Sequence, residues 1–221
     1  MSSVAKRRYY PEMNRFLWER RISVWELPIV TLIIGTIVSQ SIIFLSTIIM
    51  GKLYSPGQFG VYALIVNIAG VLALFLSRSL ETFIVPAGTA DEANSIFKKG
   101  IRQVVWTSLF TTLVIYLIYL ALDMGRLRIN INYKVVFFSL TLGCLLALYS
   151  LSYQLILREL KYKVLASRGP VQNTAIGFFQ GICNILNMNN WGLVIGEIIG
   201  RVIGLGFLFF NLRTYISKMR N

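Results

Sequence analysis

Apolar residues run in six long blocks, near Leu27–Met50, Phe59–Val85, Val104–Leu122, Val135–Leu157, Val171–Leu186 and Trp191–Phe210, with short polar segments between them. About 20 mostly apolar residues in a helix cover the hydrocarbon core of a bilayer. The pattern therefore predicts an all-α integral membrane protein, a bundle of six transmembrane helices over 27–210. Charged side chains interrupt only two blocks: Arg78 and Glu81 lie in the second, Glu197 and Arg201 in the sixth. Charge inside a lipid span is costly and usually faces a polar cavity or a partner. These four are the candidate functional residues.

The polar segments carry helix punctuation. Ser55 can cap the second helix, with Pro56 at its first position and Gln58 closing a capping box, so the first loop is expected to be short. Thr89 and Glu92 repeat the device before an apolar stripe of Ala93, Ile96 and Phe97, which predicts an amphipathic lead-in to span three. Gly169-Pro170 is expected to open span five. Span six carries Gly192, Gly196, Gly200 and Gly204, a ridge that lets another backbone approach. Gly177 and Gly181 are expected to face it from span five, making a tight hairpin.

Composition narrows the class. Apolar residues make up 56% and charged ones 14%, which leaves no room for a soluble module, so 1–221 reads as a single membrane domain. The net charge of +13 would suit nucleic acid if it were gathered on a soluble face, but it is divided among the loops. Six cations precede span one, three lie between spans two and three, four follow span four and three follow span six. The remaining loops hold only Lys52, Arg126, Arg128 and Lys134. That bias places both termini in the cytoplasm. Residues 1–26 then form a basic cytoplasmic segment, with 12–26 as an interfacial helix against membrane lipids, and 211–221 form a cytoplasmic tail. The first apolar block begins too late, and lacks the small-residue site, for a cleavable signal peptide. Cys144 and Cys183 both fall within spans and read as packing residues, neither disulfide nor metal ligands.

The chemistry available is that of binding. Histidine is absent, no metal-ligand cluster or phosphate loop is present, and no two carboxylates are placed for acid–base work. The chain is expected to be no enzyme and to need no cofactor. Arg78 with Glu81, and Glu197 with Arg201, have the spacing to meet on their own helix faces. Self-neutralised structural pairs are one reading. The other is that the arginines line a water-filled cavity and attract an anion, the guanidinium fork matching a phosphate. Arg78 lies about 25–30 Å from the start of its span and Arg201 nearer the midplane of its own, so the two pairs form a ladder of charge at different depths. Ser39, Gln40, Ser41, Asn67, Asn173, Gln180 and Asn184 are expected to bond between helices.

Five stretches carry a family resemblance. They are Leu53-Tyr-Ser-Pro-Gly-Gln-Phe-Gly-Val-Tyr-Ala63, Ser79-Leu-Glu-Thr-Phe-Ile-Val85, Asp91-Glu-Ala-Asn94, Arg158-Glu-Leu-Lys-Tyr-Lys163 and Trp191-Gly-Leu-Val-Ile-Gly-Glu-Ile-Ile-Gly-Arg-Val-Ile-Gly204. In this order they resemble the N-terminal half of Wzx-type oligosaccharide flippases, in the MATE-like superfamily. The resemblance implies one six-helix lobe of a two-lobe transporter that moves polyprenyl-diphosphate-linked oligosaccharide across the inner, cytoplasmic membrane. It implies that Arg78 and Arg201 attract the diphosphate or acidic sugars, with Glu81 and Glu197 as charge partners or coupling-ion candidates. Family members have about twelve to fourteen spans, so a second six-helix bundle would come from a C-terminal half or a second copy, since rocking needs two bodies. The competing readings are a non-transporting member of a polysaccharide-synthesis complex and a MATE-like drug or cation exporter.

Overall fold

The computed structural model describes residues 28–124, 133–188 and 191–219. The expected interfacial helix over 12–26, the loop cations Arg126 and Arg128, and the last two residues lie outside the described residues. Six α-helices follow in order: α1 (Pro28–Leu53), α2 (Pro56–Ser77), α3 (Ala90–Met124), α4 (Tyr133–Arg158), α5 (Tyr162–Ile185) and α6 (Gly192–Met219), with a short 3-10 turn at Leu80–Phe83. Apolar side chains such as Ile37, Phe75, Phe110 and Phe210 point outward, as a lipid-facing surface requires.

The helix starts follow the caps. The Ser55 side chain accepts from the Gln58 N–H while the Ser55 N–H donates to Gln58 Oε1 at 2.7 Å, and Pro56 needs no donor at the first position. Only Tyr54 and Ser55 separate α1 from α2. At α3 the Glu92 N–H donates to Thr89 Oγ1 at 3.2 Å, but the Glu92 carboxylate takes the Gly88 N–H at 2.8 Å, one residue before the box position. The 35 residues of α3 extend about 50 Å, more than a hydrocarbon core, so the helix is long enough to carry the amphipathic turns at its start as well as a span.

Two expectations are corrected. The second span does not run to Val85: α2 stops at Ser77, and Arg78 and Ser79 turn left-handed with φ of 48° and 56°. Ser77 Oγ takes the Ser79 N–H at 3.2 Å, diverting the chain into the 3-10 turn. Nor does Gly169-Pro170 open span five. The helix begins at Tyr162 and Pro170 lies inside it, because packed neighbours tolerate the lost backbone bond. Gly169 is small for another reason: a methyl group there would meet Ser39 Oγ of α1 at 2.6 Å.

The bundle is organised around α5 and α6. On one side of α5 lies α6, against which the glycine ridge closes as expected: methyl groups at Gly196 and Gly200 would sit 2.6 and 2.7 Å from the backbone nitrogens of Gln180 and Ile176. On the other side lies α1. Gly177 and Gly181, expected to face α6, face α1 instead, with Gly177 against Ser46 and Gly181 toward Met50. Thus α5 presents two small-residue seams. Among the described residues five helices are long and apolar enough to cross a membrane, and α5 is too polar to be among them. Its polar groups are used between helices: Asn173 Nδ2 donates to Ser39 Oγ at 2.7 Å, Gln180 Nε2 to Leu193 O at 3.1 Å and Asn184 Nδ2 to Leu53 O at 3.0 Å. Meanwhile α4 joins α6 to the α2–α3 pair, with Leu151 against Gly100 of α3 and Ala69 of α2 against Gly143.

Candidate functional site

After their two-residue turn the first two helices part, α1 lying along α5 and α2 along α4. The wedge between them is floored by α6. Near the turn it is closed by Met50, Tyr54, Leu193, Phe59 and Tyr62. The Tyr54 hydroxyl donates to Gln180 O at 2.7 Å and pins the turn to α5. Below this plug is a cavity of about 180 Å³ lined by α1, α2, α5 and α6, including Ser46, Thr47, Tyr62, Asn173, Glu197 and Arg201.

Glu197 lies in the second turn of α6 and is only 3% exposed. Its Oε1 accepts from Arg201 Nε at 2.8 Å and lies 2.7 Å from Arg201 Nη2, the i,i+4 pairing that the spacing predicts. Its Oε2 accepts from the Tyr62 hydroxyl at 3.0 Å. Both carboxylate oxygens are thus engaged, one by a cation and the other by a phenol. Arg201 keeps 20% side-chain exposure into the cavity, and Glu197 occupies Nε and Nη2, so Nη1 has room to bond something else.

Arg168 extends the line of charge. Its guanidinium carbon sits 3.8 Å from the centre of the Tyr153 ring, and Nη1 donates to the Tyr149 hydroxyl at 3.0 Å. Tyr149 lies within the electrostatic reach of both Arg168 and Arg201. Cation–π stacking holds an arginine without neutralising it, which leaves its charge available to an anion. From the sequence Arg168 reads as a loop cation; its place within α5 follows from the earlier helix start.

Arg78 and Glu81 stand elsewhere, and they do not pair. Arg78 caps α2 and lines a separate recess with Lys99 and Arg102 of α3. Glu81 sits in the 3-10 turn, 7% exposed, with Oε2 buried and without a partner. Spacing of three residues implies a shared face only in a continuous helix, and the helix ends between them. The segment just after Glu81 is held by Arg158, whose Nη1 donates to the carbonyls of Ile84, Val85 and Ala87. Two of the stretches that carry the resemblance, Ser79–Val85 and Arg158–Lys163, are thus physically joined, a role for Arg158 that sequence alone does not disclose.

Among the described residues no group of His, Cys, Asp and Glu is placed to hold a metal. Cys144 and Cys183 are free thiols in the packing.

A search of curated proteins and a search of solved structures each returned no match. A family profile described as polysaccharide biosynthesis protein matches residues 49–220, from the last turns of α1 to the end of α6. With five helices apolar enough for a bilayer, the chain is a multi-pass membrane protein with a role in polysaccharide synthesis or transport. It belongs to the polysaccharide biosynthesis protein family.

Proposed function

We propose that the chain is one lobe of a flippase that carries polyprenyl-diphosphate-linked oligosaccharide from the cytoplasmic to the outer leaflet of the inner membrane. The observation that carries this reading is the wedge between α1 and α2, with Arg201 partly exposed on its floor and Glu197 locked beneath it. A guanidinium that keeps part of its surface open in a polar cleft gives a diphosphate a favourable place at mid-depth, where lipid alone gives none. Arg168, stacked and still charged, offers a second position for the same anion. Loop charge puts the α1–α2 turn at the outer face. The plug of Met50, Tyr54, Leu193, Phe59 and Tyr62 would then close the outer end and leave the wedge open inward.

A single bundle holds one wall of a path. The partner wall is a second six-helix bundle, supplied by a further segment or a second copy, rocking against this one. The test is where the lipid-linked oligosaccharide accumulates in cells lacking the chain. Accumulation on the cytoplasmic leaflet, with surface polysaccharide restored by the gene, is the expected result. Unchanged leaflet distribution would leave assembly of a synthesis complex as the better account, and loss of drug efflux alone would favour an exporter.

A further inference from the structure

The recess around Arg78 encloses about 670 Å³ and shares no lining residue with the wedge. Its polar wall holds three cations, Arg78 at the end of α2 and Lys99 and Arg102 on α3. None of the three has an ion-pair partner among the described residues. Beside them the amide nitrogen of Gln103 is buried with no hydrogen-bond partner, an N–H donor that costs free energy unless something accepts it. One helical turn further along α3, Trp106 is 68% exposed, and Phe83 stands across the recess at 58%. Beyond Trp106 the outer face of α3 exposes the large apolar side chains of Leu109, Phe110 and Leu113, and the hydroxyls of Ser108 and Thr112 there are turned back onto backbone carbonyls of their own helix.

These features follow one another in the order in which a lipid presents itself. The cations and the amide donor sit where α2 has ended and α3 has not yet reached its most apolar stretch, a place that the loop charge would set level with the cytoplasmic headgroups. An indole next along the helix is at home at the membrane interface, and the aliphatic face after it lies in hydrocarbon. We infer that the recess between the end of α2 and the start of α3 binds the phosphate headgroup of an anionic lipid, its chain lying along Trp106 and Phe110. Lys99 and Arg102 supply charge, the left-handed turn at Arg78 brings a third cation to the same place, and Gln103 donates to a phosphate oxygen. The inference stands on this geometry alone and does not require that the wedge carry oligosaccharide.

Native mass spectrometry of the purified chain in detergent tests it. The probes are phosphatidylglycerol, phosphatidylcholine and a long-chain polyprenyl diphosphate at equal concentration. The wild-type chain is expected to retain a phosphatidylglycerol or polyprenyl diphosphate adduct in preference to phosphatidylcholine. In the triple variant R78Q/K99Q/R102Q that retention falls about a hundredfold, at about fivefold per basic side chain. Gln103→Leu keeps shape and charge and lowers it about fivefold, the worth of one hydrogen bond. This second variant separates a built site from general attraction to a basic surface, and it stands in for the triple variant if that fails to fold. Displacement of phosphatidylglycerol by the polyprenyl diphosphate assigns the recess to cargo, and persistence of phosphatidylglycerol assigns it to a structural lipid. Equal retention of phosphatidylcholine, or unchanged retention in Gln103→Leu, overturns the inference.

Discussion

Helices α6 and α2 both carry spaced glycines, yet they solve opposite problems. On α6, Gly196 and Gly200 lie so close to the α5 backbone that no side chain fits, and α1 repeats the contact with α5 through Gly35, set against the Ala166 backbone. On α2, Gly60 and Gly70 have nothing within 4 Å, and Asn67 between them is exposed. The α1–α5–α6 slab is closed by backbone contact, and that closure lets it hold a buried ion pair and the polar α5 inside a membrane. The α2–α3 flank is open, and its charges face outward. The regular four-residue ridge on α6 is used as a seam, whereas the irregularly spaced Gly60 and Gly70 of α2 meet no neighbour.

The contrast breaks most sharply at Gly200. Gly200→Leu drives a side chain into Ile176 and should cost about 3 kcal/mol or more by forcing α5 and α6 apart. Gly70→Leu, on the open helix, should leave the melting temperature in detergent unchanged. Equal effects at both positions would remove the distinction. Next in size, Glu197→Ala leaves Arg201 and Tyr62 without their shared acceptor. The expected loss is about 2–3 kcal/mol, below that of a fully buried pair because Arg201 keeps partial exposure. Thermal unfolding followed by size-exclusion chromatography reads it, and wild-type stability would mean that the pair is bridged by water.

On the open flank the effects shrink. Arg158→Ala releases three carbonyls after the 3-10 turn, at about 2 kcal/mol for a charged donor. Proteolysis should then begin between Phe83 and Ala90 before it reaches α5 or α6. Ser55→Ala removes one cap bond and should cost about 1 kcal/mol, with no change in the glycine seams.

Five of the helices were legible because lipid demands long apolar blocks, and Ser55 and Thr89 mark two of their starts by local chemistry; the more polar α5 was found over its C-terminal part alone. The Glu197–Arg201 pair was legible for the same local reason, both groups lying on one helix face. What failed depended on a neighbour. Pro170 resembles a helix start in isolation, but in place it is supported between α1 and α6. Gly177 was assigned to the wrong seam because α5 has two. Arg78 and Glu81 were read as a helical pair, and only the Ser77 hydroxyl, turning the backbone left-handed, separates them. Tyr62 left no sequence signal, since its bond to Glu197 spans 135 residues and a tyrosine near a helix end is commonplace in membranes.

The central claim is that Arg201, on the floor of the wedge, meets an anion during export. Its most direct test is surface polysaccharide in cells whose only copy carries Arg201→Gln, compared at equal membrane level with Gly70→Leu. The account predicts a loss of about tenfold or more in the first, the worth of one charged hydrogen bond, and none in the second. Normal polysaccharide from Arg201→Gln at an undiminished protein level would contradict it.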